Sequence, residues 1–476
     1  MPYSKQVIRN MLLWLAVGAS IGGCIQETPS ISSVPVVAAP DQPVPDQPSP
    51  QQLTLNLNEL FERAVELANE SSGSSSPKLE AETLSQIALQ LTYANRTEQA
   101  ETIFAKAIAM YPASRETVGG ADQPGDVIAL NLAKAGKIEP ALQRISQMHS
   151  SVMRIKTQAN VAVEMVSADQ RQSAEALLAE SLEAAQALTD TYMSNSTCYT
   201  AKGDALSAVA ASLAQMGQIE TALTAAKQTP NCQTAQGLLA DYQTDAYRSI
   251  IEHLKTPEQV RAVYAALPAP DAGTGKYYRA HIAIATQLAN LNEPTAAQQI
   301  IETFDLPEQM APNDYTIARN LAAAQQAIAI SFARQGEFRT AMRIIEHSIL
   351  NDEDNALHKS LALVSIGEQF SRVGKSQRAA SLFEQALETV AANHRYESFP
   401  VIAALIDAGE IDLAIQTVPV DAMPKFIRDV VIALAEAGEY ERSLAFINML
   451  SDVDERREKA VIIATLAAQI ELSFIE

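Results

Sequence analysis

The side chains best suited to chemistry are few and scattered. Gly18-Ala-Ser20-Ile-Gly22 has the letters of a nucleophile elbow, whose sharp strand-to-helix turn exposes a serine beside backbone donors. Here the letters fall inside an apolar run, with no strand pattern before them and no helix pattern after. Ser75-Ser-Pro-Lys78 has the spacing of a Ser-Lys pair, but it closes "SSGSSSPK", a flexible stretch that cannot hold two side chains in fixed geometry. "GTGKYY" at 273–278 lacks the first glycine and the final hydroxyl residue of a phosphate loop. His149, His253, His281, His347, His358 and His394 form no i, i+4 pair and no HExxH, so they read as surface or seam residues rather than metal ligands. "NDEDN" at 351–355 could attract calcium, but it lacks the glycine and glutamate of an EF-hand loop and reads as helix capping around a turn. These residues predict a non-enzymatic protein with no catalytic residue, no metal site and no cofactor.

Two further cysteines invite a different reading. Cys198 in "SNSTCYT" and Cys232 in "QTPNCQT" bracket one predicted helical hairpin, near 203–215 and 219–229, so both thiols return to the same end. In an oxidising compartment a disulfide between them is one outcome, worth roughly 3 to 4 kcal/mol by loop entropy. Two unpaired thiols in neighbouring loops are the other.

These residues must be positioned by helices. Ala, Leu, Gln and Glu dominate, strand-favouring residues are sparse, and only Leu53, Leu55 and Leu57 alternate over strand length. The composition is 47% hydrophobic, which is that of a folded chain, and the expected fold class is all-α. A formal net charge of −21 excludes nucleic acid as a partner and disfavours adhesion to anionic lipid by charge alone.

The first residues offer another means of reaching a membrane. Lys5 and Arg9 precede the apolar run "MLLWLAVGAS", and "IGGC" follows, which are the three parts of an export signal. Ile21-Gly22-Gly23-Cys24 resembles the lipobox of bacterial lipoproteins, in which cleavage leaves the cysteine as a lipidated first residue. The resemblance implies an exported lipoprotein, anchored through Cys24 and facing the periplasm or cell exterior. Trp14, the only tryptophan, would leave with the signal. Beyond the cysteine, prolines recur every few residues, which predicts an extended spacer reaching on the order of 70 to 80 Å. The expected organisation is a signal at 1–23, a spacer at 24–51, a helix with a Ser-rich linker at 52–78, and a helical-repeat domain at 79–476.

That last domain rests on spacing. Gly136, Gly217, Gly336, Gly374, Gly409 and Gly438 each follow a large apolar residue four positions earlier: Leu132, Leu213, Phe332, Phe370, Leu405 and Leu434. Five positions later stand Ala141, Ala222, Ala341, Ala379, Ala414 and Ser443, all small. Glycine ends one helix in the left-handed conformation, and the small residue lets the next approach closely. Each such hairpin has more apolar surface than it can bury alone, so hairpins must stack.

The units resemble tetratricopeptide repeats. Leu363, Ile366, Gly367, Phe370, Gly374, Ala379, Phe383 and Ala386 match that signature, as do Leu84, Ile87, Ala88, Leu91, Ala100, Phe104, Ala107 and Pro112, with Asn95 in the glycine's place. Other units keep only the Gly and Ala skeleton, and the intervals between the last four marker glycines are uneven. The resemblance implies a right-handed α-α superhelix of about ten degenerate hairpins. It also implies that the first helix of each hairpin lines a groove for a protein or peptide partner, with Gln326, Arg334, Glu368, Arg372, Lys425 and Arg428 as groove residues. The expected function is a scaffold for protein–protein interaction; the alternative is an α-helical receptor or an enzyme in a closed α/α ring.

Overall fold

The structure is a computed structural model. It describes residues 57–70, 77–113, 126–189, 191–193, 198–233, 239–270, 277–303, 315–347, 355–393, 398–418, 424–450 and 456–473. The chain divides into two compact units, Met1–Leu57 and Asn58–Glu476. The expected signal at 1–23, Cys24 and the expected spacer at 24–51 lie outside the described residues, all of which except Leu57 belong to the second unit.

Among the described residues the chain forms 22 helices. The first, α1, is Leu57–Glu70. Ten hairpins follow: α2 (Pro77–Tyr93) with α3 (Thr97–Met110), α4 (Val127–Lys134) with α5 (Ile138–Ser146), α6 (Ser151–Ser167) with α7 (Arg171–Ala187), α8 (Ala201–Gln215) with α9 (Ile219–Gln228), and α10 (Tyr242–Glu252) with α11 (Pro257–Ala266). The row continues with α12 (Tyr278–Asn290) and α13 (Pro294–Glu302), α14 (Tyr315–Arg334) and α15 (Phe338–His347), α16 (Ala356–Arg372) and α17 (Ser376–Asn393), α18 (Ser398–Asp407) and α19 (Ile411–Gln416), and α20 (Pro424–Glu436) and α21 (Tyr440–Met449). A last helix, α22 (Arg456–Ser473), stands alone in the sequence. The expectation of an all-α chain of stacked hairpins is met.

Nine of the ten turns share one geometry. The marker residue has positive φ, as at Gly374 (φ 76°), and the amide after it donates to the carbonyl of the apolar residue before it, as Lys375 to Phe370 at 2.9 Å. The marker's own amide reaches back to a nearer carbonyl, Gly374 to Ser371 at 2.9 Å, so two orphan carbonyls of the helix end are satisfied. The small residue five positions on closes the first turn of the second helix, as Ala379 does by donating to Lys375 O at 3.1 Å. Glycine is not the only residue that serves. Asn95, Asp169 and Asn292 take the same left-handed conformation, which their short polar side chains tolerate. The unit containing Asp169 and the hairpin of α12 and α13 therefore turn like the others, without a glycine. The exception is α10/α11, where Thr256 and Gln259 form a capping box and Pro257 opens the helix.

Packing joins the hairpins in chain order. The even-numbered helices α2 to α22 each lie on the next even-numbered helix, forming an inner row, and their odd-numbered partners flank them. At the best-matched unit the two helices of a hairpin come very close: a Cβ at Gly367 would stand 2.6 Å from Phe383 Cε1. Glycine there lets the ring of α17 seat against the backbone of α16.

The row has no free end. Helix α22 packs against α2 as well as α20, so the inner helices close on themselves. Arg96, in the turn between α2 and α3, joins the seam: its Nε donates to Glu471 Oε2 of α22 at 2.8 Å, its Nη1 to Asn58 Oδ1 of α1 at 2.5 Å, and its guanidinium lies 4.8 Å from the Phe61 ring centre. Lys106 of α3 bonds Asn69 of α1, so α1 runs parallel to α3. It begins near the C-terminal end of α22, where the outer partner of α22 would begin. Helix α1 thus lies beside α3 at the seam, burying Phe61, Ala64, Leu67 and Ala68, and Arg96 links its first turn to the end of α22. The sequence alone offers no partner for this helix; the structure ties it to α3 and to the α2/α3 turn.

Two short antiparallel ladders depart from the helical expectation. Thr191–Met193 pairs with Cys198–Thr200, and Cys232–Gln233 with Leu239–Ala240. They sit beside the α8/α9 hairpin, where Cys198 and Cys232 form a disulfide with Cα atoms 5.8 Å apart. Both half-cystines are buried with Tyr242, and Tyr199 packs on them.

Candidate functional site

The face of the inner row follows from the helical period. The residue four before each marker points at the hairpin's outer helix; two residues further back is a rotation of about 200°, which points the opposite way. That position holds Leu89, which is buried, and Leu130, Val163, Ala211, Ile330, Ala403 and Ile432, which are half-buried. Thr286 and Glu368 interrupt the stripe on α12 and α16. The inner face is therefore apolar and built of modest side chains, with single polar residues set into it. The glycine register contains this stripe, since it lies six residues before each marker, but the charged candidates draw attention away from it.

The six groove candidates do not form one cluster. Gln326 and Arg334 lie on α14, Glu368 and Arg372 on the adjacent α16, and Lys425 and Arg428 on α20, which α18 separates from α16. Gln326 Oε1 contacts His358 Nδ1 at 2.7 Å, tying α14 to α16. Glu368 and Arg372 pair with each other along one helix. Arg334 is exposed at the end of α14 and Arg428 is half-buried; the side chain of Lys425 lies outside the described residues.

Electrostatics along the inner helices is dominated by burial. His358 is held down to about 4, first by burial and then by the Arg319 charge, and its Nε2 is buried without a partner. Glu164 on α6 is pushed up by burial, which Lys134 on the neighbouring α4 opposes. Glu252 is likewise raised by burial, Arg248 opposing and Asp245 reinforcing the shift. Arg279 of α12 reaches Asp245 of α10 at 3.2 Å, a contact between adjacent inner helices.

Local spacing carries no hint of two buried ion pairs. Arg144 Nε donates to Asp126 Oδ2 at 2.7 Å and its Nη1 to Tyr111 O at 2.8 Å, while Asp126 caps α4 by accepting from Ala129 N. Lys156 of α6 donates to Asp204 Oδ1 of α8 at 2.8 Å, and Tyr199 OH to the other oxygen at 3.2 Å. These partners lie 18 and 48 residues apart, on different elements. Removing one member would strand a buried charge, so the pairs fix which helices meet. They are struts rather than reactive groups.

Among the described residues no three His, Cys, Asp or Glu side chains converge as metal ligands, and no helix is long and apolar enough to cross a membrane. "NDEDN" leaves only Asn355 within the described residues, at the N-cap of α16 and without a side-chain cap hydrogen bond. Of "GTGKYY", Tyr277 and Tyr278 start α12, Tyr277 in the left-handed conformation at φ 66°.

No family model matches the chain, and no curated protein matches it. Two solved structures align over most of its length. A crystal structure of the APC/C hetero-tetramer Cut9-Hcn1 is 10% identical, covering 81% of this chain and 80% of that one, with a TM-score of 0.24. A structure of Naa15/Naa10 bound to HypK-THB is 13% identical, covering 88% and 79%, with a TM-score of 0.20. Scores this low leave the architecture to be argued from the chain's own packing.

Proposed function

We propose that the chain is a non-enzymatic scaffold that holds a protein or peptide partner against its inner helical face, anchored outside the cytoplasmic membrane through a lipid on Cys24. The observation that carries this is the half-buried apolar stripe from Leu130 to Ile432, which recurs on six of the inner helices and carries Thr286 and Glu368 at the same position on two more. Such a stripe suits an extended or helical segment with apolar residues at regular intervals, and Thr286 and Glu368 supply register points. The anchor is supported by the Ile21-Gly22-Gly23-Cys24 motif and the Pro-rich segment after it.

The closed row favours a second reading, in which the enclosed face receives a small apolar ligand. One experiment separates the two. Photo-crosslinking residues at Ile330 and Ile432, in the full chain isolated from membranes, should yield discrete protein adducts identified by mass spectrometry. Adducts to small molecules alone would favour the receptor. Cys24→Ser should release the chain from the membrane fraction, and retention there would refute lipid anchoring.

A further inference from the structure

The turn edge of the row carries an uneven charge. On the α14/α15 and α16/α17 hairpins, Arg334, Arg339, Arg343, Lys375 and Arg378 are exposed and, among the described residues, pair with no acid. Their setting is ordered. Phe338 stacks on Phe370 with ring centres 4.0 Å apart, Lys375 lies 5.7 Å from both ring centres, Arg378 lies 5.8 Å from that of Phe370, and Val373 beside them is 57% exposed. Glu337, exposed in the same turn and accepting from Thr340 Oγ1 at 3.3 Å, is the acid among them, so in a chain of net charge −21 this edge is a net cationic shelf with an apolar lip.

The next two hairpins have the opposite character. Glu410, Asp412, Glu439 and Glu441 crowd the turns of α18/α19 and α20/α21. Arg442 meets Asp412 and Glu439 there. Cationic and anionic sectors are therefore neighbours on one edge, meeting between α17 and α18.

We propose that this edge docks a second copy of the chain. A two-fold axis through the border between the sectors lays the cationic pair of hairpins of one copy on the anionic pair of the other, and the reverse, which is an isologous contact. Four hairpins at about 9 Å between inner helices give an edge on the order of 30 Å, the width of an interface burying about 800 Å² per partner. The total charge pushes copies apart, but it is screened beyond about 8 Å at physiological ionic strength, whereas the facing sectors lie within that range. Val373 and Phe338 supply the apolar contact. The inference does not depend on what the inner face binds.

The test uses the full chain in a non-ionic detergent, followed by sedimentation equilibrium. The wild type should dimerise at about 0.05 M salt and dissociate toward about 0.5 M. Arg339→Glu/Arg378→Glu and Glu410→Lys/Glu441→Lys should each lose at least about tenfold in association while keeping the wild-type helical signal. Mixed together, the two variants should form a heterodimer, because the unaltered anionic sector of the first then meets the unaltered cationic sector of the second. A wild type that stays monomeric up to about 100 µM at low salt, or variants that fail to pair when mixed, would overturn the proposal. So would a monomeric wild type that binds phosphatidylserine vesicles through the same arginines, since that would assign the shelf to a membrane.

Discussion

His253 and His358 are imidazoles whose charged form the packing opposes, each being lowered to about 4 mainly by burial, with Lys255 and Arg319 adding repulsion. The unfolded chain, with ordinary histidines near 6.5, takes up these protons first. Their contribution to stability is therefore fully present above about pH 6.5 and lost as pH falls toward 4. Glu164 and Glu252, raised by burial, act with the opposite sign, since each is more easily protonated in the folded state. The urea midpoint of the wild type should fall between pH 6.5 and 4 and fall less in His253→Gln/His358→Gln; an identical pH profile for both proteins would refute the assignment. At this scale the sequence was readable where a residue's role is backbone geometry. Gly374 and Asn95 announce their turns, whereas Asp169 and Asn292 pass unnoticed because both residue types also serve as ordinary polar surface. Partners brought together by tertiary packing, such as Lys156 and Asp204, leave no mark in local spacing.

Helix pairs are the scale at which the sequence was most informative. The period of apolar and small residues around each marker specifies the hairpin, and the predicted 203–215 and 219–229 pair corresponds to Ala201–Gln215 and Ile219–Gln228. The ladders on either side escaped notice because two or three residues are too few to show alternation. They place Cys198 and Cys232, 34 positions apart in sequence, at the same end of the α8/α9 hairpin. Reducing this bridge, or replacing both cysteines with alanine, should cost roughly 3 to 4 kcal/mol in chemical denaturation. The loss should concentrate in hydrogen exchange of α8, α9 and the adjoining ladders. Equal stability with and without reductant would show that the bridge contributes nothing.

For the whole unit, the sequence implied a row and left its ends open. What it obscured was that α1 joins the seam, although Phe61 and Ala64 repeat the spacing of Phe104 and Ala107 in α3 and of Phe383 and Ala386 in α17. If α1 is the outer partner of α22, the chain should tolerate new ends. Joining residue 476 to residue 52 by a flexible linker, and opening the chain between α3 and α4, should give a protein of unchanged helical content and similar melting temperature. A permuted chain that aggregates or loses cooperative melting would refute that placement. Arg96→Ala in the parent should speed amide exchange in α1 and α22 while leaving α10 to α14 unchanged, because it removes contacts at the seam alone.

An array with loose ends can gain or drop a unit during evolution at the expense of one boundary. Here, where α22 meets α2 and Arg96 grips both neighbours, adding a hairpin would pry the join apart and deleting one would leave a gap. The tally of units is thereby fixed by geometry, and variation among descendants of this gene should accumulate in the lengths of the connecting segments instead.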